Sequence, residues 1–346
     1  MDHKFQLQEN VSLEPLTTLK IGGPARYFVR AESERAVVEA LRFAETEKQP
    51  VFILGGGSNL LVSDNGFDGL VLQIALRGIE QETERSIVVT AKAGEDWDEF
   101  VAWCVGEDLA GIECLSGIPG FVGGTPVQNV GAYGQEVAET IVSVRCYDTK
   151  AKEFVALSKA GCGFTYRTSI FNSTERGRYI VLSVTYALER GGAPKVVYKD
   201  LIEHFAGREP SLAEVRDAVL NTRRAKSMVI DAGDPNSKSA GSFFKNPVVT
   251  WDKYREIKAA FERVPHFEFG DMVKIPAAWL IENAGFNKGF THGNAGISTN
   301  HTLALINRGG ATARGILELK DLVQTAVKEK FGIELVPEPV FVGFDR

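Results

Sequence analysis

Gly117-Ile118-Pro119-Gly120-Phe121-Val122-Gly123-Gly124-Thr125-Pro126-Val127-Gln128-Asn129-Val130-Gly131-Ala132-Tyr133-Gly134 places six glycines within eighteen residues. Glycine has no Cβ, so its backbone reaches φ > 0 and its N–H groups can approach a bound group closely, which suits a diphosphate needing several donors. Taken alone, any one Gly-x-x-Gly here reads as a tight corner between strands. A second cluster, Gly55-Gly56-Gly57-Ser58-Asn59, follows the apolar run Val51-Phe52-Ile53-Leu54 and changes that balance. The run reads as a buried strand, and a strand entering a glycine turn is a phosphate-loop context. Neither standard fingerprint fits, because Leu60 stands where Gly-x-Gly-x-x-Gly needs its last glycine and no Gly-x-x-x-x-Gly-Lys-Ser/Thr occurs. A Rossmann or P-loop reading is therefore disfavoured.

Around these loops, the patterns alternate between helix and strand. Ser33 precedes a stretch in which Ala36, Val37, Ala40, Leu41 and Ala44 share a helical face, forming a small α/β unit with 51–54 and 69–74. After Gly78, residues 87–93, 140–147, 153–157 and 179–188 are strand-like, with one helix near 96–107. Leu212, Val215, Val219 and Leu220 trace a further helical stripe, and 227–239 reads as a long Asp-, Gly-, Pro- and Ser-rich loop. Helices are expected at 253–262 and 313–331, the latter with Ile316, Leu319, Leu322, Val323, Ala326 and Val327 on its apolar face. The tail from Leu335 to Gly343 reads as an extended run that holds Glu338 between Pro337 and Pro339.

The 346 residues are 44% hydrophobic and 24% charged, an ordinary globular composition, and the net charge of −6 gives no bulk signal for nucleic acid or an anionic membrane. The N-terminal residues 1–6 lack a charged-then-apolar pattern and no segment approaches the length of a membrane span, so a cytoplasmic protein without membrane insertion is expected. Cys104, Cys114, Cys146 and Cys162 show no Cys-x-x-Cys pairing and read as buried thiols. His3, His204, His266, His292 and His301 lack ligand spacing, so no metal site is expected.

Reactive groups in stiff surroundings occur in 164–171, with Tyr166 and Arg167, in 240–247, with Ser242, and beside Glu338. Arg167 could hold a carboxylate through its planar fork of donors, and Ser242 could relay a proton. Singly, Arg167 reads as a surface ion-pair partner, Ser242 as a turn former, Glu338 as a solvated charge and Tyr166 as core. Ser242 does not read as a triad nucleophile, since Gly-x-Ser-x-Gly is absent and no histidine lies near it in sequence.

Taken in order, Leu54–Asn59, Ile118–Gly134, Tyr166-Arg167, Gly241–Pro247 and Pro337-Glu338-Pro339 resemble the UDP-N-acetylenolpyruvoylglucosamine reductases (UDP-N-acetylmuramate dehydrogenases) along nearly the whole chain, in the type I form with an extra Tyr-containing loop. The resemblance implies an α+β chain of the vanillyl-alcohol-oxidase/PCMH type. Two α+β FAD-binding subdomains, 1–78 (rejoined by 335–346) and 79–226, would be followed by a third α+β substrate-binding domain at 227–334. It implies non-covalent FAD, NADPH as hydride donor, and reduction of the enolpyruvyl ether of UDP-N-acetylglucosamine to UDP-N-acetylmuramate in peptidoglycan synthesis by a monomer.

By the same likeness Arg167, Ser242, Glu338 and Tyr166 are catalytic; Gly55, Gly56, Gly57, Ser58, Asn59, Gly123, Thr125, Gly131, Tyr133 and Arg223 contact FAD; and Tyr198, Lys226 and Asn246 hold the UDP-sugar. Hydride would reach C3, Ser242 would protonate C2, and Arg167 with Glu338 would polarise the carboxylate. Beside a growing dianion, Glu338 is expected either protonated or acting through Arg167. Two alternatives remain: an FAD-dependent oxidase or dehydrogenase of the same fold acting on another substrate, and a non-catalytic nucleotide-binding regulator. The first often attaches flavin through His or Cys, and neither glycine cluster contains a histidine.

Overall fold

A computed structural model describes residues 6–83 and 87–344; the N-terminal residues 1–5, with His3, lie outside it. The chain divides into two compact units. One gathers Met1–Val11, Ala25–Gly56 and Asp68–Ala225, the other Ser12–Pro24, Gly57–Phe67 and Lys226–Arg346.

The first unit holds two sheets. One has the order Gln8–Ser12, Pro24–Ala31, Phe67–Ile74, Val51–Leu54, with the last pair parallel. Helix Glu34–Thr46 begins where the Ser33 hydroxyl accepts the Ala36 N–H at 3.2 Å, and it buries Ala36, Val37, Ala40 and Ala44. Leu41, expected on that face, is only half-buried. Val51–Leu54 corrects the sequence reading in the same way. It is an edge strand whose Val51 is exposed and whose Leu54 is buried, while the neighbouring strand fills the centre with Leu70, Val71 and Leu72. A short apolar run cannot show whether a second neighbour will cover it.

The other sheet runs Glu153–Ser158, Ile141–Asp148, Tyr179–Arg190, Ile87–Lys92, Ile79–Thr83, antiparallel throughout. Helix Trp97–Gly106 packs Trp97 and Phe100 against Tyr186 of its central strand, with ring centroids 6.1 and 5.4 Å apart. Burying each such side chain contributes roughly 1.5–3 kcal/mol. The Tyr186 hydroxyl, sealed beneath, meets Thr125 Oγ1 at 3.0 Å, so this core reaches directly into the glycine-rich stretch.

In the second unit, helix Ala313–Phe331 matches its expected limits. It starts at a Thr312 cap and stops at Gly332, whose φ of 65° a side chain would resist. Ile316, Leu319, Val323 and Val327 are buried, whereas Leu322 is exposed, because it falls a third of a turn off the stripe. The helix expected at 253–262 is Trp251–Ala260, set two residues earlier by a Thr250 cap on the Lys253 N–H. Helices Lys199–Phe205 in the first unit and Ala277–Asn283 in the second are too short to give a periodic signal. Of the extended tail, Val340–Val342 forms a strand, parallel to Leu60–Val62.

Candidate functional site

In the first unit the two glycine clusters meet backbone to backbone. A Cβ on residue 56 would lie 2.7 Å from Gly120 Cα and 3.0 Å from the Phe121 nitrogen. At Gly55 and Gly124 the opposite holds: a Cβ would meet nothing within 4 Å, and neither residue has positive φ. The fold therefore supplies no steric reason for glycine at 55 or 124. Thr125 shapes this loop from inside, its hydroxyl donating to the Val122 carbonyl at 2.8 Å and its N–H to the same carbonyl at 3.0 Å.

Gly117, at the start of the stretch, is held on both sides. Asp98 Oδ1 accepts its N–H at 2.6 Å, and Arg223 Nε donates to its carbonyl at 3.1 Å. Burial opposes ionisation of Asp98, but Arg216 and the Gly117 N–H outweigh it and hold the carboxyl below its ordinary range. Arg223 is buried, which lowers its pKa, with the Tyr133 phenol and Asp98 acting in opposition. Burial in turn raises the Tyr133 pKa, and its ring meets Tyr198 edge-on at 5.3 Å.

Asn129, Tyr133 and Arg167 all take left-handed φ, at 46°, 48° and 54°. For non-glycine residues this costs on the order of 1–3 kcal/mol each, and such strain gathers where side chains are aimed at ligands. Asn129 is fastened by bonds from Nδ2 to Glu136 Oε2 at 2.8 Å and to the Thr165 carbonyl at 3.1 Å. That ties the loop to the turn carrying Tyr166 and Arg167, which is closed by reciprocal Thr165–Thr168 bonds. The Arg167 guanidinium lies 5.8 Å over the Tyr166 ring, and a Cβ on Gly131 would come within 3.4 Å of its Nη1.

The second unit builds its own cluster. Gly57 turns with φ 67° where a Cβ would lie 1.8 Å from the Leu16 carbonyl oxygen, and Asn59 Nδ2 then donates to the Glu338 carbonyl at 3.2 Å. Segment 243–245 runs antiparallel to 336–338: Glu338 N–H donates to the Phe243 carbonyl and Lys245 N–H to that of Val336, both at 2.9 Å. With Phe243 and Phe244 fully buried as anchors, half-buried Ser242 and Glu338 stand on adjoining extended segments. His301 Nε2 lies 3.3 Å from Ser242 Oγ. Asn246 Oδ1 caps helix Ala277–Asn283 through the Ala277 N–H at 2.9 Å, and Ser58 accepts from Thr18 through its carbonyl at 3.4 Å. Lys226 begins the last segment of this unit.

Residues 25–155 match the FAD binding domain family, and residues 234–342 match the C-terminal domain of UDP-N-acetylenolpyruvoylglucosamine reductase. Proteins of that name from Thermobifida fusca and Streptomyces coelicolor are 46% and 45% identical to this chain. Each comparison covers 96% of this chain, with 97% and 89% of the respective relative. The chain belongs to the UDP-N-acetylenolpyruvoylglucosamine reductase family. A solved reductase from Thermus caldophilus superposes with a TM-score of 0.68 at 25% identity, covering 97% of this chain and all of that one. The α+β fold with an FAD-binding domain expected from the sequence holds, and the cofactor is FAD.

The residues present fit FAD. Gly55 and Gly124 leave backbone open to a ligand, strained Tyr133 lies on the glycine-rich loop with Arg167 next to Gly131, and buried Arg223 bonds the Gly117 carbonyl. Gly124→Ala is expected to leave the melting temperature of the apoprotein unchanged, since its Cβ would meet no protein atom. The same change should weaken FAD binding about tenfold or more by filling the approach; flavin titration checks this.

All four cysteines are free and buried, with burial pushing Cys114 up to about 12 and Cys162 up to about 11. Among the described residues there is no metal-competent group of His, Cys, Asp and Glu, and no helix is long and apolar enough to cross a membrane.

Sequence reasoning missed Glu113. It is fully buried and accepts the N–H groups of Gly111 and Lys195, both at 2.8 Å, and Gln135 Nε2 at 3.2 Å, tying the segment leading to Tyr198 to the glycine-rich loop. Two of its three partners lie 22 and 82 residues away, and no local pattern announces them.

Proposed function

We propose that this chain reduces the enolpyruvyl ether of UDP-N-acetylglucosamine to the lactyl ether of UDP-N-acetylmuramate with NADPH, as a monomer in the cytoplasm. When bound, FAD supplies a two-electron carrier between NADPH and the enol ether. The observation that carries the reading is the pairing of 243–245 with 336–338, which sets a hydroxyl and a carboxyl on neighbouring segments of the family's C-terminal domain.

A hydride added at C3 pushes negative charge through C2 onto the substrate carboxylate, and fixed groups around that carboxylate help most as the charge grows. In this reading Arg167 and Glu338 polarise the carboxylate, Tyr166 backs the guanidinium, and Ser242 gives its proton to C2. Gly55, Gly56, Gly57, Ser58, Asn59, Gly123, Thr125, Gly131, Tyr133 and Arg223 hold FAD; Tyr198, Lys226 and Asn246 hold the UDP-sugar. The functional division is 1–78 with 335–346, 79–226, and 227–334.

Anaerobic absorption spectra test this. NADPH should bleach the flavin and the enolpyruvyl sugar nucleotide should restore it. A reduced flavin indifferent to that substrate overturns the proposal. Arg167→Ala should keep its FAD and still be bleached, while restoration slows by about 10²–10³-fold, the usual effect of removing one donor to developing charge. Loss of FAD instead would reject this role for Arg167.

A further inference from the structure

Ser242 cannot give up a proton repeatedly unless something returns it, and its hydroxyl meets His301, 59 residues further along the chain. The histidine sits, half-buried, on the turn between strands Ala295–Ile297 and Leu305–Asn307. That turn is closed by Ser298 N–H to the Ala304 carbonyl at 2.9 Å and Ala304 N–H to the His301 carbonyl at 3.0 Å. It is fastened outside by Thr299 N–H to Asn236 Oδ1 at 3.0 Å, by Asn300 Nδ2 to Ser227 Oγ at 2.8 Å, and by the Thr302 hydroxyl to Glu282. The serine segment joins the same frame, since Phe243 N–H donates to the Leu303 carbonyl at 2.8 Å. Imidazole and hydroxyl are thus held on two segments hydrogen-bonded to each other, the arrangement a proton transfer needs.

We propose that His301 is a positioning residue that orients the Ser242 hydroxyl and restores its proton. The proposal rests on Ser242 being the proton donor. As the Oγ–H bond breaks and the C2–H bond forms, the Nε2–H bond breaks and Oγ–H re-forms, and solvent then reprotonates the neutral imidazole. A free histidine titrates at about 6.5, so it can carry this proton near neutrality. The ionisable groups on the elements around the turn include Glu282, Asp234, Lys226 and Glu338, with Lys238, whose carbonyl accepts the Asn307 N–H, Lys245 on the serine segment, and Lys288 beside the Gly289 whose N–H meets the Ile297 and Ser298 carbonyls. Glu282 holds Thr302, Asp234 bonds the Ser227 that meets Asn300, Lys226 adjoins Ser227, and Glu338 has its N–H on the Phe243 carbonyl.

The test compares wild-type, His301→Gln and Ser242→Ala holoenzymes by FAD content, reduction by NADPH, and flavin reoxidation by the enolpyruvyl substrate against pH. Wild-type reoxidation should fall as pH rises through the imidazole titration, because the protonated form is the supplier. In H301Q, which keeps a hydrogen-bonding side chain but does not titrate, FAD content and reduction should stay at wild-type level. Its reoxidation should be about tenfold slower or worse, with that descending limb gone. A slow S242A beside an H301Q of wild-type rate and profile rejects His301 and spares Ser242. A fast S242A rejects the serine reading itself. Equal losses in both half-reactions of H301Q, or a flat wild-type profile, also reject the proposal.

Discussion

Ser242→Ala is expected to retain FAD and to accept electrons from NADPH at the wild-type rate, while reoxidation by the enolpyruvyl substrate slows by roughly 10²–10⁴-fold, the range that a positioned acid contributes. The split follows from where the residue sits. Phe243 and Phe244 anchor the segment with rings 5.4 Å apart in the core, and the backbone bonds to Leu303 and Val336 do not involve the serine side chain. Removing the hydroxyl therefore leaves the frame standing and deletes one proton. Stopped-flow measurement of the two half-reactions separates these effects; reoxidation within a few-fold of wild type would remove Ser242 from the mechanism.

Gly56→Ala should act by the opposite route, through structure. Its Cβ would be driven to 2.7 Å from Gly120 Cα and 2.9 Å from the Gly120 carbonyl carbon, and backbone cannot swing aside as a side-chain tip can. The two glycine loops must separate, at a cost of about 1–3 kcal/mol for overpacking a close contact. Purified protein should then show a lower flavin-to-protein ratio and a lower melting temperature even without FAD, unlike Gly124→Ala. Wild-type flavin content together with an unchanged melt would show that the loops tolerate a methyl group between them.

Much of the fold could be read from local pattern. The helix at Ala313–Phe331 was legible to the residue, because a long stripe ending at Gly332 leaves little freedom. Its Leu322 was misplaced because a list of apolar residues does not weigh angle around the axis. Val51–Leu54 was misjudged as buried because burial of a strand depends on neighbours on both sides, and its second side is empty of strands.

The site divides similarly. Glycine spacing and the order of Tyr166-Arg167, Gly241–Pro247 and Pro337-Glu338-Pro339 were enough to name the family, because backbone able to approach a ligand has a residue signature of its own. Left-handed φ at Tyr133 and Arg167 was invisible, since these residue types advertise no such conformation, whereas Asn129 is of a type that tolerates it and is fastened by the Thr165 carbonyl 36 residues away.

The amino-acid sequence alone determined the helices and strands with strong periodicity, the glycine loops and the family, since each is written in neighbours a few positions apart. Only the tertiary structure decided that Glu113 ties Lys195 to the loop, that Glu338 lies beside the serine segment, and that His301 faces Ser242. Those contacts join residues tens to nearly a hundred positions apart. Hydrogen bonds of that span form only after packing has fixed both ends, so no local pattern in the chain can encode them.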